Sequence, residues 1–313
     1  MPPYCEAEHQ SPGFRDRSKF LRMIMEPTNS REHLTFEQAE GAARLPSPLL
    51  LKEISQELRA LLVRIILSSL ANDREEIDYR GSAIASGQWG QILFDKHTLV
   101  DHRYADEFSN SFSSCHNIIS TILKGGDYIK VFGFLQFVLR HGQCPYGLAE
   151  AVDDALVRAR AAYRVVNNRT ITPVASKEEG EAVLRAFADL SATEFAGARH
   201  HLAKSSEELN AGNWSESVRE SIHSVESVVR TLEPSNDLDK ALKALAKKGH
   251  IHPALQFAMS KLYAYTSDQE GVRHAIVNDS EANVDEGDAL YMFGACAAFI
   301  TYLINKARLG GLL

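Results

Sequence analysis

Between Asn213 and Pro234 the chain places Val218, Ile222, Val225, Val229 and Leu232 at i, i+4, i+7, i+11 and i+14. That interval is the 3.6-residue period of an α-helix, so one stripe of the segment must be covered by other elements. The covering pieces are readable nearby. Leu238, Leu242 and Leu245 carry one further helical pattern. Leu255, Met259 and Leu262, after Pro253, carry another, and the last runs from Asp288 through Met292, Ala295, Cys296, Phe299 and Leu303. Upstream, Ser176-Lys177-Glu178-Glu179 has capping-box spacing. It opens one long helical pattern through Val183, Leu184, Phe187, Leu190, Phe195, Leu202 and Leu209 that stops at Gly212. Residues 176–313 are therefore predicted to form an all-α bundle.

The preceding half is also mainly helical. Leu58, Leu61, Leu62, Ile65, Ile66 and Leu70 follow the possible N-cap Ser55, which predicts a helix over Ser55–Leu70. Helical spacing recurs over Ala105–Leu123 and Gly126–Leu139, parted by Lys124-Gly125-Gly126, and over about Gly147–Ala161. Tyr163–Val166 and Thr170–Val174 flank Asn167-Asn168-Arg169, which reads as a β-hairpin. The expected organisation is a flexible tail over 1–33, a helical domain with a small hairpin over 34–175, and the bundle over 176–313; the fold class is mainly α.

Composition excludes several function classes. With 34 basic against 41 acidic residues the net charge is −7, so the chain as a whole does not hold duplex nucleic acid by charge alone. Cys5, Cys115, Cys144 and Cys296 form no C-x-x-C pair and no finger spacing, which points to reduced thiols rather than a disulfide framework or structural zinc. No window approaches 18 uninterrupted apolar residues and the N-terminus lacks the apolar run of a secretory signal, so a cytoplasmic protein without a membrane segment is expected. The nucleotide-binding, α/β-hydrolase and zincin motifs do not occur.

Three constellations carry chemistry. Arg219, His223 and Glu226 stand at i, i+4 and i+7, bordering the apolar stripe, where they form either a site or an ordinary solvated edge. Ser267 and Glu270 repeat the capping-box spacing, which would set Gly271, Arg273 and His274 in the first turn of a short helix, a place that favours an anion. There a guanidinium stabilises a phosphoryl oxygen while an imidazole moves a proton. A helix start without function is the alternative. Lys240, Lys243 and Lys247 share one helical face, with Lys248 following, which makes either a contact surface for a nucleic-acid backbone or a solvated face. His250-x-His252 has no carboxylate or Cys at a recognised spacing, and no metal site and no cofactor are expected.

The chain resembles AbiJ-like abortive-infection proteins. Leu34-Thr35-Phe36-Glu37-Gln38-Ala39-Glu40-Gly41, followed by Leu51-Lys52-Glu53-Ile54-Ser55-Gln56-Glu57-Leu58-Arg59, is similar to the opening of their fourth type of N-terminal domain. Val218 to Ser227, Leu262 to Asp268, Gly271 to Ala275, and Asp288 to Met292 with Tyr302 to Ile304 resemble the companion C-terminal domain, placed with the HEPN superfamily. The resemblance implies an anti-phage effector that cuts RNA without metal, a homodimer joined through the C-terminal bundle, and a partner or antitoxin in the same defence system. It implies Arg273 for phosphate stabilisation and His274 for proton transfer, with Glu220, His223 and Glu226 orienting or acting as a second base, and Arg219 with Lys240, Lys243, Lys247 and Lys248 touching RNA. The usual HEPN spacing, Arg then four to six residues then His, is absent: Arg219-x-x-x-His223 and Arg273-His274 both miss it. The alternative is a non-catalytic HEPN-like module that binds nucleic acid, nucleotide or protein as a sensor or scaffold. The closing helix is apolar over more of its circumference than one buried stripe requires, which also points to a second subunit.

Overall fold

A computed structural model of the chain describes residues 50–73, 76–77, 83–235, 237–268 and 284–313, with Phe36 and Glu40. The chain divides into two compact units, 1–45 and 46–313. In the first, the Glu40 N–H donates to the Phe36 carbonyl at 2.9 Å, one turn of helix. Everything below concerns the second.

Among the described residues, its first half is built on five α-helices. Helix α1 (Gln56–Asn72) starts as expected at Ser55, whose hydroxyl accepts from the Leu58 N–H at 3.1 Å. It buries Leu58, Leu62, Ile66 and Leu70 in one row. A two-stranded antiparallel pair, β1 (Glu76–Ile77) and β2 (Ala83–Ile84), and helix α2 (Gln88–Asp95) follow. The apolar pattern from Ala105 does not make one helix. A 3-10 turn over Ala105–Glu107 gives way to extended backbone, and α3 (Phe112–Gly125) begins only where Ser111 can cap it, accepting from Ser114 N–H. Helix α4 (Tyr128–Arg140) is capped by Asp127, and α5 (Leu148–Arg158) enters through Gly147 at φ 76°. Trp89, Ile119, Leu135, Val152 and Leu156 fill the core between them.

The hairpin forms where it was read, β3 (Tyr163–Val166) against β4 (Thr170–Pro173), in the register Val165 to Ile171. It joins the two halves: Val165 and Ile171 lie in the first core and Val166 in the second. Arg164, 8% exposed, forms a two-pronged pair with Asp153 at 2.9 and 2.7 Å.

The second half contains helices α6 (Lys177–Asp189), α7 (Ala196–Ala211), α8 (Trp214–Leu232), α9 (Leu238–Lys247), α10 (Pro253–Asp268) and α11 (Glu286–Leu309). The single long helix expected from Ser176 to Gly212 is two. It breaks after Asp189 and restarts through a 3-10 turn at Thr193–Phe195. Leu190 and Phe195 are buried on either side of the turn, so the apolar spacing survives although the axis does not. The stop at Gly212 holds, with φ 78°. The stripe of α8 is buried throughout, with Val218, Val225 and Val229 at 0% exposure. It packs chiefly against α7 and α11. Leu255 was expected in the core of the fourth pattern but is 45% exposed, whereas Met259 on the same helix is buried. Among the described residues one helix, α11, is long and apolar enough to cross a membrane by length and composition. Half of its most apolar 18-residue window is buried inside the protein, and the helix packs against α8 and α6.

Candidate functional site

Helices α7 and α8 approach closely because small side chains face each other at their contact. The Ser205 hydroxyl lies 2.7 Å from that of Ser221 and 3.2 Å from that of Ser217, and donates to the Ser217 carbonyl at 2.9 Å. All three serines are fully buried. Their hydroxyls satisfy one another and the backbone, so this polar seam carries no desolvation debt and fixes the register of the two helices.

That register brings a mirrored pair of i, i+3 positions together: His201 and Lys204 on α7, Glu220 and His223 on α8. The Glu220 carboxylate, 4% exposed, is held at both oxygens. Oε1 accepts from Lys204 Nζ at 2.6 Å and Oε2 from His201 Nδ1 at 2.7 Å, with His223 Nδ1 4.0 Å from Oε2. The two imidazoles meet edge to face with ring centroids 5.3 Å apart. Burial pushes the Glu220 carboxyl up, but the hydrogen bonds and charges of Lys204 and His201 outweigh it and hold it below the usual carboxylate range. The hydrogen bond to Glu220 raises the Lys204 ammonium in turn. The carboxylate is thus fixed and ionised, while both imidazoles, 35% and 30% exposed, reach the surface.

A third imidazole extends the row. The ring of His200 is 5.7 Å from that of His201 and borders a cleft of 390 Å³ lined by Asn167, Ser191, Arg199 and small apolar side chains. Arg199 donates to the Asn167 side-chain oxygen across it.

Of the residues singled out from sequence, Glu220 and His223 come together here. Arg219, immediately before Glu220 on α8, pairs with Glu216. Glu226, one turn beyond His223, is 8% exposed rather than part of a solvated edge. Lys240, Lys243, Lys247 and Lys248 do form an exposed row on and just after α9, but Lys243 is paired with Asp239 and Lys248 with Glu233, which halves its unbalanced charge. Arg273 and His274 lie outside the described residues. The helix start expected at Ser267 fails at its first residue, because Ser267 belongs to the last turn of α10 and is not an N-cap.

His201 and Lys204 are not marked by the sequence pattern. The apolar period of their helix carries no sign of them, and nothing in one strand of sequence says which flank of α7 meets α8. The usable signal was the matching i, i+3 spacing of polar pairs on two consecutive helices joined by the short turn at Gly212. Cys115 and Cys296 are free and fully buried, and burial pushes their thiols up to about 11 and about 12, which makes them inert packing groups.

No family model matches the chain, and neither curated proteins nor solved structures yield a match.

Proposed function

We propose that this chain is a cytoplasmic AbiJ-like anti-phage effector whose C-terminal bundle is a HEPN-like endoribonuclease that works without a metal ion, with the N-terminal half as its sensor or partner-binding part. The observation that carries the reading is the pair of imidazoles, from two helices, gathered at the surface around one buried, ionised carboxylate with an ammonium beside it. RNA cleavage by its own ribose needs a base for the 2′-OH, an acid for the departing 5′-oxygen, and positive charge for the phosphorane between them.

The residues divide that work. With its Nδ1–H held by Glu220, His201 presents Nε2 as the base that takes the 2′-OH proton. The new bond joins O2′ to phosphorus, the P–O5′ bond breaks, and His223 supplies the proton that leaves with O5′. Lys204 lies beside the charge that develops, and Arg219 with the Lys240, Lys243, Lys247 and Lys248 row offers further phosphate contacts. The roles of Arg273 and His274 rest on the motifs quoted above, and both are retained as partners of this chemistry. A homodimer through the outer face of α11 completes the reading.

The chemistry of the ends tests it. Labelled RNA incubated with the purified chain should yield 2′,3′-cyclic phosphate and 5′-hydroxyl termini by mass spectrometry. Termini bearing 5′-phosphate, or intact RNA, would reject transesterification.

A further inference from the structure

We infer that His201, Glu220 and His223 form a binding site for a divalent transition-metal ion of the zinc class. One ligand atom from each lies within 4.8 Å of the others. Tetrahedral coordination at about 2.0–2.1 Å separates donors by roughly 3.3 Å. The two distances from Glu220 Oε2, 2.7 Å to His201 Nδ1 and 4.0 Å to His223 Nδ1, straddle that value, so small side-chain rotations close the site with both helices in place.

The surroundings also suit an ion. Glu220 offers Oε2 while Lys204 grips Oε1 at 2.6 Å, the outer hydrogen bond that normally orients a ligating carboxylate. The buried serines below fix the separation of α7 and α8, so the donors are held rather than recruited. Both imidazoles are partly exposed, which leaves an entry path and a fourth position open to water. Two nitrogens and one oxygen select zinc, cobalt, nickel or copper over magnesium and calcium, which demand more oxygen ligands. The neighbouring ammonium keeps the ion exchangeable, as in a regulatory site and unlike a closed structural one. An ion on both Nδ1 atoms fixes the two imidazoles that the cleavage reaction would need to turn and exchange protons, so occupancy opposes that reaction. The binding itself stands apart from the RNA-cleavage reading and is measured without RNA.

Chelator-stripped protein is titrated with Zn²⁺ by calorimetry, and with Co²⁺ by visible absorption, for wild type, His201→Ala, His223→Ala, Glu220→Gln and the control His200→Ala. Circular dichroism confirms that each variant is folded. Loss of an outer-shell partner alone typically weakens a metal site by about 10–100-fold, so each of the three ligand variants should weaken binding at least that much. Wild type and His200→Ala should take up one Zn²⁺ per chain and show the intense visible bands of four-coordinate Co²⁺. Absence of saturable Zn²⁺ binding by wild type, or wild-type affinity retained in folded His201→Ala and His223→Ala, overturns the assignment.

Discussion

Glu220 shows how a single residue is set by what faces it. Its carboxyl is held below the ordinary value of 4.5, so the folded chain keeps it ionised where the unfolded chain would protonate it. Its contribution to stability is complete above that value and disappears as the pH falls through the lower folded-state value. Thermal melts of Glu220→Gln should therefore lose part of the wild-type decline in stability below pH 4.5. A second residue-scale test is Asp153→Ala, which strands the 8%-exposed Arg164 and removes an acceptor from the Val165 N–H. Urea unfolding should register a loss of about 3 kcal/mol, the range for breaking one side of a buried ion pair. His223 was visible in the sequence on a polar flank of α8, whereas Glu220 was named only through the family resemblance. His201 and Lys204 were not, because the seam of Ser205, Ser217 and Ser221 that sets which flank of α7 meets them is a tertiary fact, and serines at helical spacing carry no apolar signal.

Among the elements, helix α2 shows a cap brought from elsewhere. Gly87 has no side chain to cap with, and a Cβ there would sit 2.1 Å from Asp73 Oδ1. The gap admits the Asp73 carboxylate, which accepts from the Gln88 and Trp89 N–H groups at 3.0 and 2.8 Å and places negative charge at the helix start. Asp73→Ala should cost about 1–2 kcal/mol in urea unfolding, the usual loss of an N-cap. In α2 itself, Gly90 lies where a Cβ would fall 2.0 Å from the Ala85 carbonyl oxygen, so Gly90→Ala should destabilise by about 1–3 kcal/mol through overpacking. Element type and order were readable wherever period and cap agreed. Ser55, Gly212 and the hairpin, whose Asn167 and Asn168 both adopt positive φ, are the clearest cases. The break between α6 and α7 was not, since Leu190 and Phe195 are buried on both sides of it and keep the helical spacing through a turn.

At the scale of the molecule, the hairpin and its neighbours tie the two cores together. The Asn210 side chain donates to the Ile171 carbonyl at 2.5 Å, and Arg140 reaches both Thr170 and Glu207. The closing helix α11 buries Phe293, Cys296, Ile300 and Ile304 inward, with the half-buried Phe299 and Tyr302 stacked 5.9 Å apart and packed against the same core, and leaves Tyr291 61% exposed on its outer side. If that side meets a second copy, light scattering at micromolar concentration will give twice the 34.7 kDa chain mass, and Tyr291→Glu will return it to the single-chain value. The apolar excess of α11 was plain in the sequence; which of its faces stays uncovered depends on where α6 and α8 pack.

The proposed metal-independent mechanism is tested most directly by cleavage of labelled RNA in EDTA by the full chain and by folded His201→Ala and His223→Ala variants. It predicts cleavage by wild type in the chelator and a loss of at least about 100-fold in each variant, the usual contribution of a positioned acid or base. Cleavage by the variants at the wild-type rate, or wild-type cleavage that requires an added metal ion, would contradict it.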